Sequence, residues 1–441
     1  MSNQATQLVI ANADGTGATE VAGRQRPDYF CAIHNGPAWS PDGKNIVATL
    51  STQDQVGQYD TVLSVNREGG TEKVVTSQRW WGIENLSWLR DGGGLLATVQ
   101  ENTSSPAQVW HISYPGGEAR RITNDLNQYD GISVTSDTRA FVTVQTSTLS
   151  SVWVTSFDGT ATANGQPDAL IDESRSVRVA SEVGEISGVT WSPDGDVVYV
   201  SRASGTSNLW MMGRDGSQLK QLTTDAQVEE GVAVSPDRRY IAFASLSAGV
   251  YNIWRSDADG RNLKQLTDGK GDTFPHFSPD SRWIVFQRSS SEATATLWKV
   301  SVDGGEAVQL TETRVQKPRV SPDGKLIAYY YLDSESPGSR WRMAVIPIDG
   351  GRRVKIFDFP PMVSSRLVRW TPDGKALAYL DNREGASNIW LQSLDGSEPK
   401  QLTDFKAEHI LSFDWSHDGR SLALVRAARA SDVVLIETRD R

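Results

Sequence analysis

The chain has 441 residues, 38% hydrophobic and 22% charged, with a net charge of −10 and a pI near 5.2. An acidic protein without a basic stripe is a poor match for a nucleic-acid backbone or an anionic membrane. The single cysteine, Cys31, excludes an internal disulfide and a cysteine-based metal site.

Residues 1–6 are polar and hold no apolar signal core, and no stretch approaches membrane-spanning length. The chain as written is therefore expected to be soluble, without an export signal of its own and without direct membrane insertion. The first predicted strands are 7–11 and 18–21, joined at Asp14-Gly15, and they read as a third and an outer strand with no inner pair before them. From there a phrase recurs: a large apolar residue, Ser-Pro-Asp-Gly or a worn copy, then a short β-branched run. Its aspartates are Asp42, Asp91, Asp137, Asp194, Asp237, Asp280, Asp323, Asp373 and Asp418, with spacings of 49, 46, 57, 43, 43, 43, 50 and 45 residues. Such a period is that of a four-stranded propeller blade.

Residues 231–267 show one whole unit. Val232-Ala233-Val234 reads as the inner strand, 240–244 as the second and 251–254 as the third, and Asp259-Gly260 turns into the outer strand 263–267. The same hairpin signal recurs at Gly69-Gly70, Gly116-Gly117, Asp158-Gly159, Asp215-Gly216, Asp303-Gly304, Asp349-Gly350 and Asp395-Gly396. In the Ser-Pro-Asp-Gly turn, proline presets φ and the Asp side chain accepts from nearby amides, so the aspartates read as turn residues rather than as a catalytic ring. Trp39, Trp88, Trp191, Trp370 and Trp415 stand three residues before the turn Asp, and Trp110, Trp153, Trp210, Trp254, Trp298 and Trp390 stand about five before the hairpin. Strand alternation places both sets on blade faces, where each ring is expected to remove ~150–250 Å² from water against the next blade.

The last copy supplies an inner pair, 412–415 and 421–425, and a third strand, 432–436, with no outer strand after it. Sharing one blade between the termini would pair these open edges. The expectation is therefore an all-β fold: a single propeller of four-stranded antiparallel blades over 1–441, nine in number, with a terminal blade built from 7–22 and 411–436.

The whole chain resembles the TolB-like branch of WD-repeat propellers. The resemblance rests on the Ser-Pro-Asp-Gly turns, on the third strands Asn208 to Trp210, Asn252 to Trp254 and Asn388 to Trp390, and on Gln-Leu-Thr triplets. The triplets run from Gln221 to Thr223, Gln265 to Thr267, Gln309 to Thr311 and Gln401 to Thr403. Segments 113–125, 344–347 and 431–436 are also similar to the propellers that follow a kinase domain in certain bacterial membrane-bound serine/threonine kinases. That likeness implies a sensor or scaffold region outside the cytoplasm, with a kinase domain in the full-length protein. The chain itself shows no Gly-rich phosphate loop, His-Arg-Asp or Asp-Phe-Gly motif.

No Gly-x-Ser-x-Gly elbow is present, which removes serine hydrolysis of the α/β-hydrolase kind. Some related propellers are lyases with a histidine-held metal. Here the histidines are His34, His111, His276, His409 and His417; His111 falls in a third strand and His417 replaces a turn proline, so neither is expected at the channel. No metal or cofactor is expected.

Function is expected at the channel mouth. Seven residues before successive turn aspartates stand Glu84, Asp130 and Glu230 in early blades and Arg366 in a late one. Four residues before stand His276, Arg319, Arg369 and Asp414, and Lys317 lies close by. A ring acidic on one side and basic on the other would orient a dipolar ligand such as a peptide terminus, unless the charges simply pair across it. The reading is a non-enzymatic propeller that binds a peptide, protein or small polar ligand. The alternatives are a lyase or hydrolase using His276 or Glu230, and a purely structural array.

Overall fold

Each Ser-Pro-Asp-Gly segment folds as the turn its residues dictate. Asp42, Asp137, Asp237, Asp280, Asp323, Asp373 and Asp418 each accept from the Ser or Thr hydroxyl two residues earlier and from the amide two residues later. Asp194 instead pairs with Arg238 at 2.7 Å. The computed structural model describes residues 5–31, 36–54, 58–102, 105–156, 170–228, 231–247, 250–268, 271–289, 295–312, 314–333, 340–358, 367–382 and 386–437. Among these there is one 3-10 turn, Glu173–Arg175, and otherwise strands. The expected Asp158-Gly159 hairpin lies outside the described residues.

The strands form antiparallel sheets, most of them four-stranded, as a β-propeller requires. Two compact units divide the chain: residues 1–147 with 429–441, and residues 148–428.

In the second unit, blade 1 is Ile186–Trp191, Val197–Ser201, Asn208–Met212 and Lys220–Gln221. Blade 2 is Ala233–Val234, Tyr240–Ser245, Asn252–Asp257 and Lys264–Gln265. Blade 3 is Asp272–Phe277, Trp283–Arg288, Thr296–Ser301 and Val308–Gln309. Blade 4 is Val315–Val320, Leu326–Asp333, Arg340–Pro347 and Lys355–Asp358. Blade 5 is Val368–Trp370, Ala376–Asp381, Asn388–Ser393 and Lys400–Gln401. Blade 6 takes its inner pair from His409–Trp415 and residues 421–428, and its outer pair from residues 148–156 and Ser176–Val183.

The repeat motifs hold each blade's outer half. Thr223, Thr267, Thr311 and Thr403 accept, through their hydroxyls, the amides of Leu209, Ile253, Leu297 and Ile389 in the third strands. The Asn208 and Asn388 side-chain oxygens accept the Thr223 and Thr403 hydroxyls in return. Each such bond is worth ~1 kcal/mol net.

Between neighbouring blades the side chains interdigitate. Val198 and Leu209 meet Val234 and Phe243, Ala244 and Ile253 meet Phe277 and Phe286, and Val285 and Leu297 meet Val320 and Tyr329. Tyr330 and Met343 meet Val368 and Trp370, and Leu380 and Ile389 meet Phe413 and Trp415. Val152, Val154, Ala423 and Val425 of blade 6 then meet Val189, Trp191 and Tyr199 of blade 1. The circle of six shuts on itself.

The first unit stacks in the same way without such a return among the described residues. The hairpin Ala5–Ile10 with Thr19–Gln25 packs on the sheet containing Asn45–Gln53 and Gln58–Asn66. That sheet packs on the one containing Gly82–Trp88 and Gly94–Gln100, which in turn meets Tyr129, Phe141, Val434 and Ile436.

The terminal blade expected from 7–22 and 411–436 is therefore not formed, and the nine-blade ring that depended on it gives way to six blades closing within 148–428. The cause is a pair of turns that do not form. Ala140–Ser156 and Ser421–Glu437 each run as one 17-residue strand where the repeat calls for a second strand, a turn and a third. Neither 145–152 nor 424–431 contains Gly, Pro, Asn or Asp, which lowers the local preference for reversal but does not decide it, since 289–295 lacks them too and the strands on either side of it still pair. The two strands lie side by side instead. Within the first unit the Thr146 and Ser431 hydroxyls are 2.8 Å apart; within the second, Val152 and Val154 pack with Ala423 and Val425. The segment 170–187 contributes buried Ile171 and the outer strand of blade 6.

Arg426 joins the halves of blade 6. Its guanidinium is 3% exposed, lies 3.0 Å from Glu408 and 3.1 Å from Glu173, and stacks on Phe405 and Trp153. Arg426→Met should destabilise the second unit by about 1–3 kcal/mol, less than a fully buried pair because both carboxylates keep water. Urea denaturation of the full chain checks this, with the exposed Arg261→Met expected to change little.

Candidate functional site

The inner strands of the ring carry a recurrent irregularity. A register shift falls between Ile186 and Gly188, Thr273 and His276, Gln316 and Arg319, and Ile410 and Ser412. Six residues before the turn Asp, Gly231, Phe274 and Lys317 have φ of +101°, +55° and +52°. At Gly231 a side chain is ruled out twice, since an added Cβ would also stand 2.8 Å from the Phe274 Cα. Such a bulge inserts one residue and re-aims the side chains that follow.

The result is a cavity of ≈ 340 Å³, at the lower end of ligand-site sizes. All six residues that stand four before the turn aspartates line it: Thr190, Ala233, His276, Arg319, Arg369 and Asp414. Pro236, Pro279, Pro322 and Pro372 of the turns line it too, with His417 in the equivalent place of the sixth blade. The cavity therefore opens at the turn end of the ring.

Hydrogen bonds between blades set the charged groups in place. The Trp370 indole donates to the Arg319 carbonyl at 2.9 Å, and the Trp191 indole to the Asp414 carbonyl at 3.1 Å. These tryptophans are thus ties between inner strands as well as packing. Trp88 makes the same bond to Ala38 in the first unit, whereas Trp39 is 47% exposed and departs from the core role expected of it. Arg319 and Arg369 are 4% and 7% exposed, and each donates through Nη1 to the carbonyl of the preceding residue, Pro318 and Val368. Asp414 accepts from the Thr190 hydroxyl at 2.8 Å on one oxygen; on the other it accepts the Trp415 amide at 3.0 Å and lies 3.4 Å from Arg369 Nε.

His276 accepts the Val320 amide through Nδ1 at 3.3 Å. Enclosure, and then the positive charges of Arg319 and Arg369, hold its imidazole well below the ordinary histidine range. It is therefore neutral at pH 7.

Of the residues the sequence singled out, the structure brings His276, Arg319 and Arg369 into one cavity. Glu84 and Asp130 belong to the first unit, where Glu84 accepts from Gln128 and Asp130 from Asn85. Lys317 does not line the cavity; it is a bulge residue with its ammonium 4.9 Å over the Phe274 ring. Glu230 and Arg366 lie outside the described residues, as does His34. His409 is exposed, 3.4 Å from the Ser387 hydroxyl. His417, expected to face away from the channel, lines the cavity instead. Four of the ring's turn prolines line the mouth, so the one blade in which a histidine replaces the proline was the signal. Among the described residues no group of three or more His, Cys, Asp or Glu is placed to hold a metal.

Residues 169–317 match the family model described as the TolB beta propeller domain. Two curated relatives match short stretches. "Tricorn protease homolog 1" of Streptomyces coelicolor is 33% identical over 86 residues, 19% of this chain. "Uncharacterized peptidase YuxL" of Bacillus subtilis is 40% identical over 55 residues, 12% of this chain. Each match spans only 8% of the relative's length. Among solved structures, TolB from Acinetobacter baumannii aligns over 90% of this chain and 85% of its own, at 14% identity and a TM-score of 0.42. An oligogalacturonate lyase in complex with manganese aligns over 89% and 98%, at 13% identity and a TM-score of 0.33. Among the described residues no helix is long and apolar enough to cross a membrane.

A buried neutral histidine has a defined effect on stability. With its folded pKa depressed, His276 binds a proton more readily in the unfolded chain, so stability is full above the unfolded value of ~6.5 and falls as pH drops toward the folded one. The slope contributed is at most ~1.4 kcal/mol per pH unit. Urea midpoints of the full chain between pH 7.5 and 5 should fall more steeply for wild type than for His276→Asn, which keeps an acceptor for Val320.

Proposed function

We propose that the ring of residues 148–428 is a non-enzymatic recognition module that takes a segment of a peptide or protein partner into the cavity at its turn end. The observation that carries this is convergence. Six blades each contribute the side chain four residues before the turn, and these include two buried arginines, a histidine and an aspartate around one opening. Cores do not collect charge in this way, and solvated surfaces do not bury it. A mouth of prolines is stiff and offers no backbone donors of its own, so an entering chain keeps its groups for the charged wall behind.

The same charges argue against the lyase or hydrolase alternative as the leading reading. Asp414 has both oxygens engaged, and His276 spends Nδ1 on a backbone amide, so neither is poised as a general base toward a substrate. The resemblance to kinase-linked propellers supports a sensor or scaffold context, extracytoplasmic in a bacterium. No cofactor is required.

The test blocks the mouth. In a Cys31→Ser background, His417→Cys is labelled with a bulky maleimide, and a random peptide-display library is panned on the labelled and unlabelled full chain. Peptides captured by the unlabelled protein should lose binding on labelling, while labelling Ser397→Cys at an outer hairpin should leave them bound. Captured peptides indifferent to the His417 label, or none captured at all, would overturn the reading.

A further inference from the structure

The turn of blade 1 departs from the other five in the ring. In blades 2–6 the Ser or Thr amide donates to the carbonyl five residues on: Ser235 to Tyr240, Ser278 to Trp283, Ser321 to Leu326, Thr371 to Ala376 and Ser416 to Ser421. In blade 1 the Ser192 amide donates to the Asp196 carbonyl, four residues on, and the Asp196 amide donates to the Ser192 hydroxyl at 3.0 Å. This turn is one residue shorter, and the residue it lacks is a cation, since Arg239, Arg282, Lys325, Lys375 and Arg420 hold that place in the other blades. At the next place the other blades carry Tyr240, Trp283, Leu326, Ala376 and Ser421, all uncharged, whereas blade 1 carries Asp196.

Asp196 lines a second cavity, of ≈ 760 Å³, over the seam between blades 6 and 1. Trp191, Ser416 and His417 line it and the central cavity alike, so the two adjoin. It runs outward as a groove between Val177 and Val179 of blade 6 and the hairpin residues 213–215 of blade 1. At that end the blades touch, because a Cβ added at Gly216 would stand 2.4 Å from the Val179 carbonyl oxygen. Of the carboxylates in the lining, Asp194 pairs with Arg238 at 2.7 Å, Asp215 accepts the Ser217 amide at 3.0 Å, and Asp418 accepts the Ser416 hydroxyl at 2.6 Å. The half-buried Asp196 carboxylate has no hydrogen bond or ion pair among the described residues. The guanidiniums in the lining are Arg175 and Arg214, and Arg214 donates to the Ser421 hydroxyl at 2.9 Å.

We propose that this groove is the second half of the recognition surface: an extended peptide entering the central cavity lies along the seam and sets a lysine or arginine side chain on Asp196. The assignment rests on the recognition reading and deepens it. A basic side chain fits both features of the groove, its apolar stem lying on Val177 and Val179 and its charged head reaching Asp196. A carboxylate partly withdrawn from water gains more from such a cation than a fully solvated one.

The random peptide-display library, panned on the full chain, should enrich sequences with Lys or Arg at one position. The enriched peptides are then synthesised and their binding followed by fluorescence anisotropy. Asp196→Asn should weaken them about fivefold or more, and so should Asp196→Ala, which places there the residue that blade 5 carries and keeps the turn intact. Changing the peptide's basic residue to Gln should cost as much in wild type and little further in Asp196→Asn, the coupling expected of two groups that meet. Glu398→Gln, an exposed carboxylate at an outer hairpin, should leave binding unchanged. In the Cys31→Ser background, a bulky maleimide on Val177→Cys, 66% exposed in wild type, should block the same peptides. Captured peptides without a basic position, additive losses in the cycle, an equal loss in Glu398→Gln, or indifference to the Val177 label would each overturn the groove assignment. If such peptides are still blocked by the His417 label, the recognition reading survives that failure; if no peptide is captured, both fall.

Discussion

Lateral packing between sheets is the constraint on which the structure depends. A four-stranded sheet of this size has two apolar faces and can hide neither by itself. Phe243 is covered only because blade 1 stands beside blade 2, and Tyr329 only because blade 3 stands beside blade 4. The sixth interface, where Val152 and Val425 meet Trp191, removes the last open face. Its components come from opposite ends of the 148–428 segment, so the ring behaves as a closed chain of contacts rather than a row of independent repeats. Arg426, paired with Glu173 and Glu408 and stacked on Trp153 and Phe405, holds together the two halves of blade 6, which come from distant parts of the chain.

Closure also creates the site. Inner strands brought into a circle must point something at the axis, and the bulges at Phe274 and Lys317 decide which residue that is. Backbone held at positive φ by a phenylalanine or a lysine is unfavourable and persists only where the surroundings impose it. Here it turns His276 and Arg319 toward the cavity. The tryptophans then tie adjacent inner strands together through the Arg319 and Asp414 carbonyls. The rigidity that keeps the ring shut is the same rigidity that holds the Asp414 carboxylate and the Arg319 and Arg369 side chains in place.

The strand exchange shows where the repeat leaves the direction of the chain to tertiary contacts. Most connections between second and third strands carry a Gly, Pro, Asn or Asp, and the repeat folds back on itself there. At 145–152 and 424–431 those residues are missing, and two long strands pass through where two hairpins would have stood. Each half-blade then finds its third strand elsewhere in the chain. A count of repeats treats these as ordinary copies, because the motifs on either side, Asp137 and Trp153 in one case and Asp418 and Val433 in the other, keep their places.

What the sequence determined by itself was everything that repeats locally. The Ser-Pro-Asp-Gly turns and the Asn and Gln-Leu-Thr clasp on the third strand follow from residues within about fifteen positions of one another, where turn chemistry and short hydrogen bonds suffice. It also indicated that His276, Arg319 and Arg369 share a position in the repeat, which is why they meet. The tertiary structure alone decided how many blades close a circle, which half-blades are partners, and that His417 joins the cavity while Glu84 and Asp130 belong to the other unit. Those outcomes depend on contacts such as Val152 with Val425, hundreds of residues apart, whose pairing no local pattern encodes.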